Sequence, residues 1–203
     1  SLSLVQSRAL LGLEAAAVTV EVHLANGLPS FTLVGLADVE VKEARERVRS
    51  AIQNSGLEFP HNKRITVNLA PADLPKDSGR FDLPIALGIL AASGQISAEA
   101  LAAHEFAGEL SLTGDLRSVR GALAMALRAR EAGRAFVLPA HNAPQAALAE
   151  GAHILPARTL LEVVAHLCGA RLDLTSCVEF ARRHNLVLIE DCAQAYAGPG
   201  FWG

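Results

Sequence analysis

The chain is poorest in aromatic residues, which make up 4% of its 203 positions, so its core has to be built from Ala, Leu, Val and Ile. Cysteine is scarce as well. Cys168, Cys177 and Cys192 are odd in number and lack CxxC spacing, which argues against a disulfide scaffold or a metal site and fits a reduced, cytoplasmic protein. No apolar run approaches the ~20 residues that a membrane-spanning helix needs, so no membrane partner is expected. The opening SLSLVQSRALLGLEAAAV has no basic segment followed by an uninterrupted apolar one, and no signal peptide is read there. A large charge of one sign is also missing. The net charge of -3 gives no global attraction for nucleic acid. The sequence contains no GxxxxGK followed by Ser or Thr, no GxSxG elbow and no HExxH, and its seven His residues show no ligand-like spacing. Gly198-Pro199-Gly200 runs on into Phe-Trp-Gly and is no substitute for a phosphate loop. No cofactor and no metal are therefore expected in this chain.

What is present is a folded composition, 51% hydrophobic and 19% charged, long enough for one good core with an appendage. The stretch from Lys63 to Gly94 organises it. Ile65, Val67 and Leu69 alternate with Arg64, Thr66 and Asn68, the pattern of a half-buried strand. A loop rich in Pro, Asp, Gly and Ser follows, from Ala70 to Arg80. Asp82 then reads as a helix N-cap with Pro84 in the first turn, Leu83, Ala86, Leu87, Leu90 and Ala91 as one apolar face, and Gly94 as the C-cap. Strand, polar loop and apolar helix put a special loop at the edge of a core, where sites tend to be built.

Upstream, residues 18–24 alternate, and Asn26-Gly27 predicts a hairpin turn into a second strand over Phe31–Leu36. Asp38 to Gln53 reads as a helix with Val41, Ala44, Val48, Ala51 and Ile52 as its apolar stripe. Its other face carries Lys42, Glu43, Arg45, Glu46, Arg47 and Arg49, with Glu43 and Arg47 spaced for an i,i+4 pair. The plain reading is a solvated face laced with ion pairs. The sharper one adds Lys63 and Arg64 and makes Lys42, Arg45, Arg47, Arg49, Lys63 and Arg64 candidate phosphate contacts. No aromatic interleaves the helical cations, so base stacking is not expected.

Downstream, a short connector or helical turn is expected over Ile96–Ala103 and a hairpin around Thr113-Gly114-Asp115. Helices are expected over Gly121–Ala132, Ala143–Ala149 and Thr159–Cys168, with short strands over Ala135–Leu138 and His153–Leu155. Hairpins mixed with strand–helix units predict an α/β fold with a mixed sheet, not a doubly wound one.

Four segments carry a resemblance: VTVEVHLANGLPSFTLVGL (18–36), VKEARERVRSAIQNSGLEFP (41–60), KRITVNLAPADLPKDSGRFDLPIALGILAAS (63–93) and GELSLTGDLRSVRGALAMALRAREAG (108–133). Through them residues 1–170 resemble the N-terminal domain of the ComM/YifB family of magnesium-chelatase-like AAA+ ATPases. The resemblance implies the ribosomal protein S5 domain 2-like fold shared with the Lon protease domain. It also implies a motor, outside these residues, that would use ATP and Mg2+. Family members are similar to hexameric ATPases that act in branch migration during natural transformation. The implied partners are the chain's own motor, neighbouring subunits and DNA, and the implied role is non-catalytic. The alternatives are a pure assembly module and a relic of a Lon-like Ser–Lys peptidase. Lon-like sequences carry their serine where DLPIA places Asp82, and their lysine where GALAMA places Leu123. Neither residue has the chemistry the dyad needs. Ser78 and Lys76 stand nearby, but not in that arrangement.

Residues 171–203 depart from this family. A helix over Ser176–Asn185 and a strand over Leu186–Ile189 are expected, and CVEFARRHNLVLIEDCAQAYAG is similar to a segment of the DegT/DnrJ-type sugar aminotransferases. In those enzymes the Asp matching Asp191 pairs with the pyridine nitrogen of pyridoxal phosphate, and the Gln matching Gln194 lies by its ring. The Schiff-base lysine has no counterpart, so an extraneous tail without the cofactor is expected.

Overall fold

Alternation of apolar and polar residues folds the first part of the chain into a sheet. β1 (Leu2–Leu11) and β2 (Glu14–Ala25) form an antiparallel hairpin registered from Leu2 opposite His23 to Leu11 opposite Glu14. The computed structural model that shows this describes residues 1–35, 37–169 and 183, with only the backbone of Glu40 and Lys42. All but Arg183 fall within the unit Ser1–Ala170. The expectations for 171–203, Asp191 and Gln194 included, lie outside the described residues apart from Arg183. β1 was not foreseen, because its inward positions are partly polar. Ser3 and Ser7 are buried and donate to the carbonyls of Gly88 (2.6 Å) and Phe106 (2.7 Å), so the sequence shows no clean alternation there.

The expected hairpin at Asn26-Gly27 is not formed. β4 (Arg64–Ala70) pairs antiparallel with β2, and β3 (Ser30–Val34) lies beyond it, parallel to β4. Two strand spacings amount to about 10 Å, which the link over residues 26–29 can span. β4 is thus hydrogen-bonded on both edges while Ile65, Val67 and Leu69 enter the core as predicted. On its other side β1 pairs in parallel with β5 (His104–Phe106), followed by β8 (Ala135–Pro139) and β9 (Ile154–Ala157), also parallel. The seven-stranded order β3-β4-β2-β1-β5-β8-β9 is the mixed α/β sheet expected. Arg8 and Glu105 clamp the junction of its two halves in a buried two-pronged pair, both bonds 2.7 Å. β6 (Glu109–Leu110) and β7 (Leu116–Arg117) make a separate small hairpin around Thr113-Gly114-Asp115.

The helix expected from Asp38 is interrupted at Glu43, giving α1 (Val39–Lys42) and α2 (Ala44–Asn54). Asp38 caps α1 by accepting from the Val41 amide at 2.8 Å, and all five residues of the predicted stripe are fully buried. α3 (Asp82–Ala92) corrects the one-face expectation. Only Ala91 of its residues is not buried, because the helix is packed on nearly every side. A Cβ at Gly88 would stand 2.5 Å from Val22 Cγ2, so glycine is what lets α3 lie against β2. α2, α3 and α7 (Leu160–Gly169) share one core with Val5, Val20 and Val67, joined by Leu101 of α4 (Ala98–Ala102). α5 (Ala122–Glu131) and α6 (Ala143–Ala146) share a second with Ala15, Phe136 and Leu138. Among the described residues no helix is long and apolar enough to cross a membrane.

Candidate nucleic-acid interface

Asp82 opens α3, but it is not the cap. The N-cap position is Phe81, which makes no side-chain cap bond, and the Asp82 carboxylate reaches away from its own helix. It receives Arg47 Nε at 2.7 Å and Nη2 at 3.1 Å from α2, and the Leu110 amide at 3.1 Å from β6. One fully buried carboxylate therefore ties together α2, α3 and the β6–β7 hairpin. A capping residue satisfies its own helix, whereas this one is taken by partners 35 and 28 residues away. Burial pushes the Asp82 carboxyl up to about 6 against the opposing pull of Arg47, and the hydrogen bond to Asp82 holds the Arg47 guanidinium above its ordinary range. The foreseen Glu43–Arg47 contact exists at 3.8 Å but is secondary.

The neighbouring loop is equally self-occupied. Lys76 is buried, its ammonium donates to the Pro71 carbonyl, and burial lowers its pKa. Ser78 stands at φ 65°, and its hydroxyl accepts from Arg80 Nε at 3.0 Å. Arg80, itself buried, also donates to the Arg120 carbonyl at 3.3 Å, and burial lowers its pKa too. Lys76 and Ser78 are thus directed to different partners. Leu123, at the other dyad position, packs against the second core.

The six predicted cations do not stay together. Arg47 turns inward to Asp82, Arg64 is exposed on the opposite face of β4 from Ile65, and the Lys42 side chain lies outside the described residues. Arg45, Arg49 and Lys63 do converge, on an open groove of about 160 Å³ between α2 and the β3–β4 edge of the sheet. Of the ten described residues lining it, these three are cationic and none is acidic. Arg45 meets Glu46 at 3.2 Å with both side chains mostly exposed, a pairing worth ~0–1 kcal/mol. Lys63 donates from Nζ to Asn26 Oδ1 at 2.7 Å.

Aromatic rings line the same groove, although none interleaves the helical cations. Phe31 comes from β3, and Phe59 and His61 from the loop before β4. The Arg49 guanidinium carbon lies 6.0 Å from the Phe59 centroid, at the outer limit of a cation–π contact. The Phe59 and His61 rings meet edge-on at 5.5 Å. The signal for these rings in the sequence is Phe59-Pro60-His61, which stands immediately before Asn62, Lys63 and Arg64 and away from the helical cations. Among the described residues no group of acidic, His and Cys side chains is placed to hold a metal ion.

Comparison with known proteins covers most of the chain. The family model described as subunit ChlI of Mg-chelatase matches residues 20–142. The chain is similar to the competence protein ComM of Haemophilus influenzae, 49% identical over a 204-residue alignment covering 97% of the chain and 40% of that protein. It is also similar to the YifB protein of Salmonella typhimurium, 57% identical over 148 residues, 73% of the chain and 29% of that protein. The chain thus spans two fifths or less of the length of these relatives. A second model, the DegT/DnrJ/EryC1/StrS aminotransferase family, matches residues 147–198. Over that part the chain is similar to the L-glutamine:2-deoxy-scyllo-inosose aminotransferase of Streptomyces kanamyceticus, 56% identical over 52 residues, 12% of that enzyme.

Proposed function

The chain belongs to the family of subunit ChlI of Mg-chelatase, and from that premise we propose that residues 1–170 are a non-catalytic accessory domain that engages DNA for a magnesium-chelatase-like AAA+ motor. The name of the Haemophilus relative supports placing that work in competence, and the resemblance to the ComM/YifB proteins supports branch migration in recombination. The partners in this reading are the motor, its neighbouring subunits in a hexamer, and DNA, all in the cytoplasm. ATP, and the Mg2+ that accompanies it, go with the motor, since the sequence given has no loop able to cradle the phosphates of ATP.

The observation that carries the reading is the convergence of Arg45, Arg49 and Lys63 on a groove with no acidic side chain among its described lining residues. Such a cluster recruits phosphate locally even though the chain as a whole is acidic. The peptidase alternative is disfavoured by Asp82, whose carboxylate is held by Arg47 and Leu110 and has no hydroxyl to offer.

The test is a fluorescence-anisotropy titration of labelled single-stranded and forked DNA with the full chain, at low and at physiological salt. Affinity should fall steeply with salt, and each of Arg45→Ala, Arg49→Ala and Lys63→Ala should reduce the slope of log K against log salt by about 1. Absence of binding at low salt would leave an assembly module in its place.

A further inference from the structure

We propose that the groove of Arg45, Arg49 and Lys63 holds one unpaired base of single-stranded DNA against Phe59, with the adjoining phosphates on the three cations. This inference rests on the DNA-engaging reading above and states what the groove selects. Phosphate contacts alone would give a surface indifferent to strandedness. The groove adds two further properties.

The first is size. Its volume of about 160 Å³ is close to the ~150 Å³ of a protein cavity that accepts a single benzene ring. A single flat ring therefore has room in it. The second is the wall. Phe31 and Phe59 both pack against the main core on their inner side, so their rings are held in place rather than free to fold away. His61 is held by a 3.1 Å contact of its Nε2 with Gln53 Nε2. Pro29 and Pro60, also in the lining, stiffen the loops that carry these rings. An aromatic face flanked by cations is how proteins hold unpaired bases without reading their sequence, because every base has a π-face. Arg49 is already set over the Phe59 ring, and Lys63, oriented by Asn26, lines the same groove.

The two contributions separate experimentally, since the phosphate part needs no base and falls with salt. The full chain is titrated with fluorescein-labelled oligo-dT of about 12 nucleotides, within the range one nucleic-acid-binding module covers, and with an abasic oligomer of equal length. We expect oligo-dT to bind about tenfold more tightly than the abasic chain at equal salt. Phe59→Leu should weaken oligo-dT about tenfold more than the abasic oligomer, so that the two then bind alike, and Arg49→Ala should weaken both by a similar factor. Equal affinity for the two oligomers, or an equal loss for both in Phe59→Leu, would overturn the base-holding groove and leave the DNA-engaging reading standing. No binding of either oligomer at low salt would remove that reading and this inference with it. Ultraviolet crosslinking of a 4-thiothymidine oligomer to the unaltered chain serves if the variant does not fold. Crosslinks within residues 57–63 support the inference, and crosslinks confined to other segments overturn it.

Discussion

Arg47 and Arg49 stand two residues apart on α2, and the difference between them divides the molecule into two regions. Arg47 points into the seam where α2, α3 and the β6–β7 hairpin meet, and a fully buried carboxylate takes it. Arg49 lies on the rim, its guanidinium carbon 6.0 Å from the Phe59 centroid. The seam uses charge to fix how elements of the same chain are joined. The rim holds charge beside aromatic rings at the solvent boundary. The same residue type on the same helix is structural in one case and available to a ligand in the other, and a rotation along the helix decides which.

The strongest way to break this contrast is to remove the two arginines one at a time. Arg47→Ala leaves Asp82 buried without its counter-ion and should cost about 3–5 kcal/mol of folding stability. Arg49→Ala should cost less than ~0.5 kcal/mol, as surface changes usually do. Denaturant unfolding of both variants, set beside their DNA affinities, checks the division. If Arg47→Ala kept its stability and lost DNA binding, the seam and the rim would exchange roles.

The seam was hidden from the sequence for a reason that the rim shares. Alternation in Ile65, Val67 and Leu69 and the stripe from Val41 to Ile52 are local patterns, and both were read correctly. Asp82 beside Pro84 also looks local, like a cap, because nothing in DLPIA announces an arginine 35 positions earlier. Phe59 and Arg49 likewise meet only because the loop before β4 folds back over α2. The misread hairpin at Asn26-Gly27 has the same origin, since turn chemistry cannot foresee that β4 will insert between β2 and β3. Periodicity reports which face of an element is buried. It does not report what lies against that face.

A titration sharpens the seam itself. The Asp82 carboxyl is raised from 3.8 to about 6, so near pH 5 the native chain keeps a proton that the unfolded chain has released. Stability contributed by this group is therefore present below pH ~4, falls as pH rises through about 6, and is level above that. The span corresponds to on the order of 3 kcal/mol. Asp82→Asn, which cannot titrate, should follow the wild-type pH profile at all other groups. The difference between the two proteins should shrink or grow only between pH 4 and 7. Parallel thermal-unfolding curves across that range would show that Arg47 keeps the carboxylate ionised despite burial. With that slope, the hydrogen bonds of Asp82 join α2, α3 and the β6–β7 hairpin without its ionisation adding stability at neutral pH.

The smallest effect falls on the rim, and it is the one that tells whether the rim is a site or merely a solvated face. Arg45 and Glu46 are 3.2 Å apart and mostly exposed, so breaking their pair with Glu46→Ala should change stability by less than ~0.5 kcal/mol in either direction. For DNA the two possibilities diverge. If Arg45 only solvates the helix, removing Glu46 changes nothing. If Arg45 faces phosphate, removing the competing carboxylate frees the guanidinium and takes away the negative charge beside it. Affinity at low salt should then rise about two- to fivefold, and the gain should disappear in Arg45→Ala, where there is no guanidinium left to free. Single-strand affinities of wild type, both single variants and the double variant close that cycle. Additive effects would return Arg45 to the solvent and leave Arg49 and Lys63 to hold the phosphate.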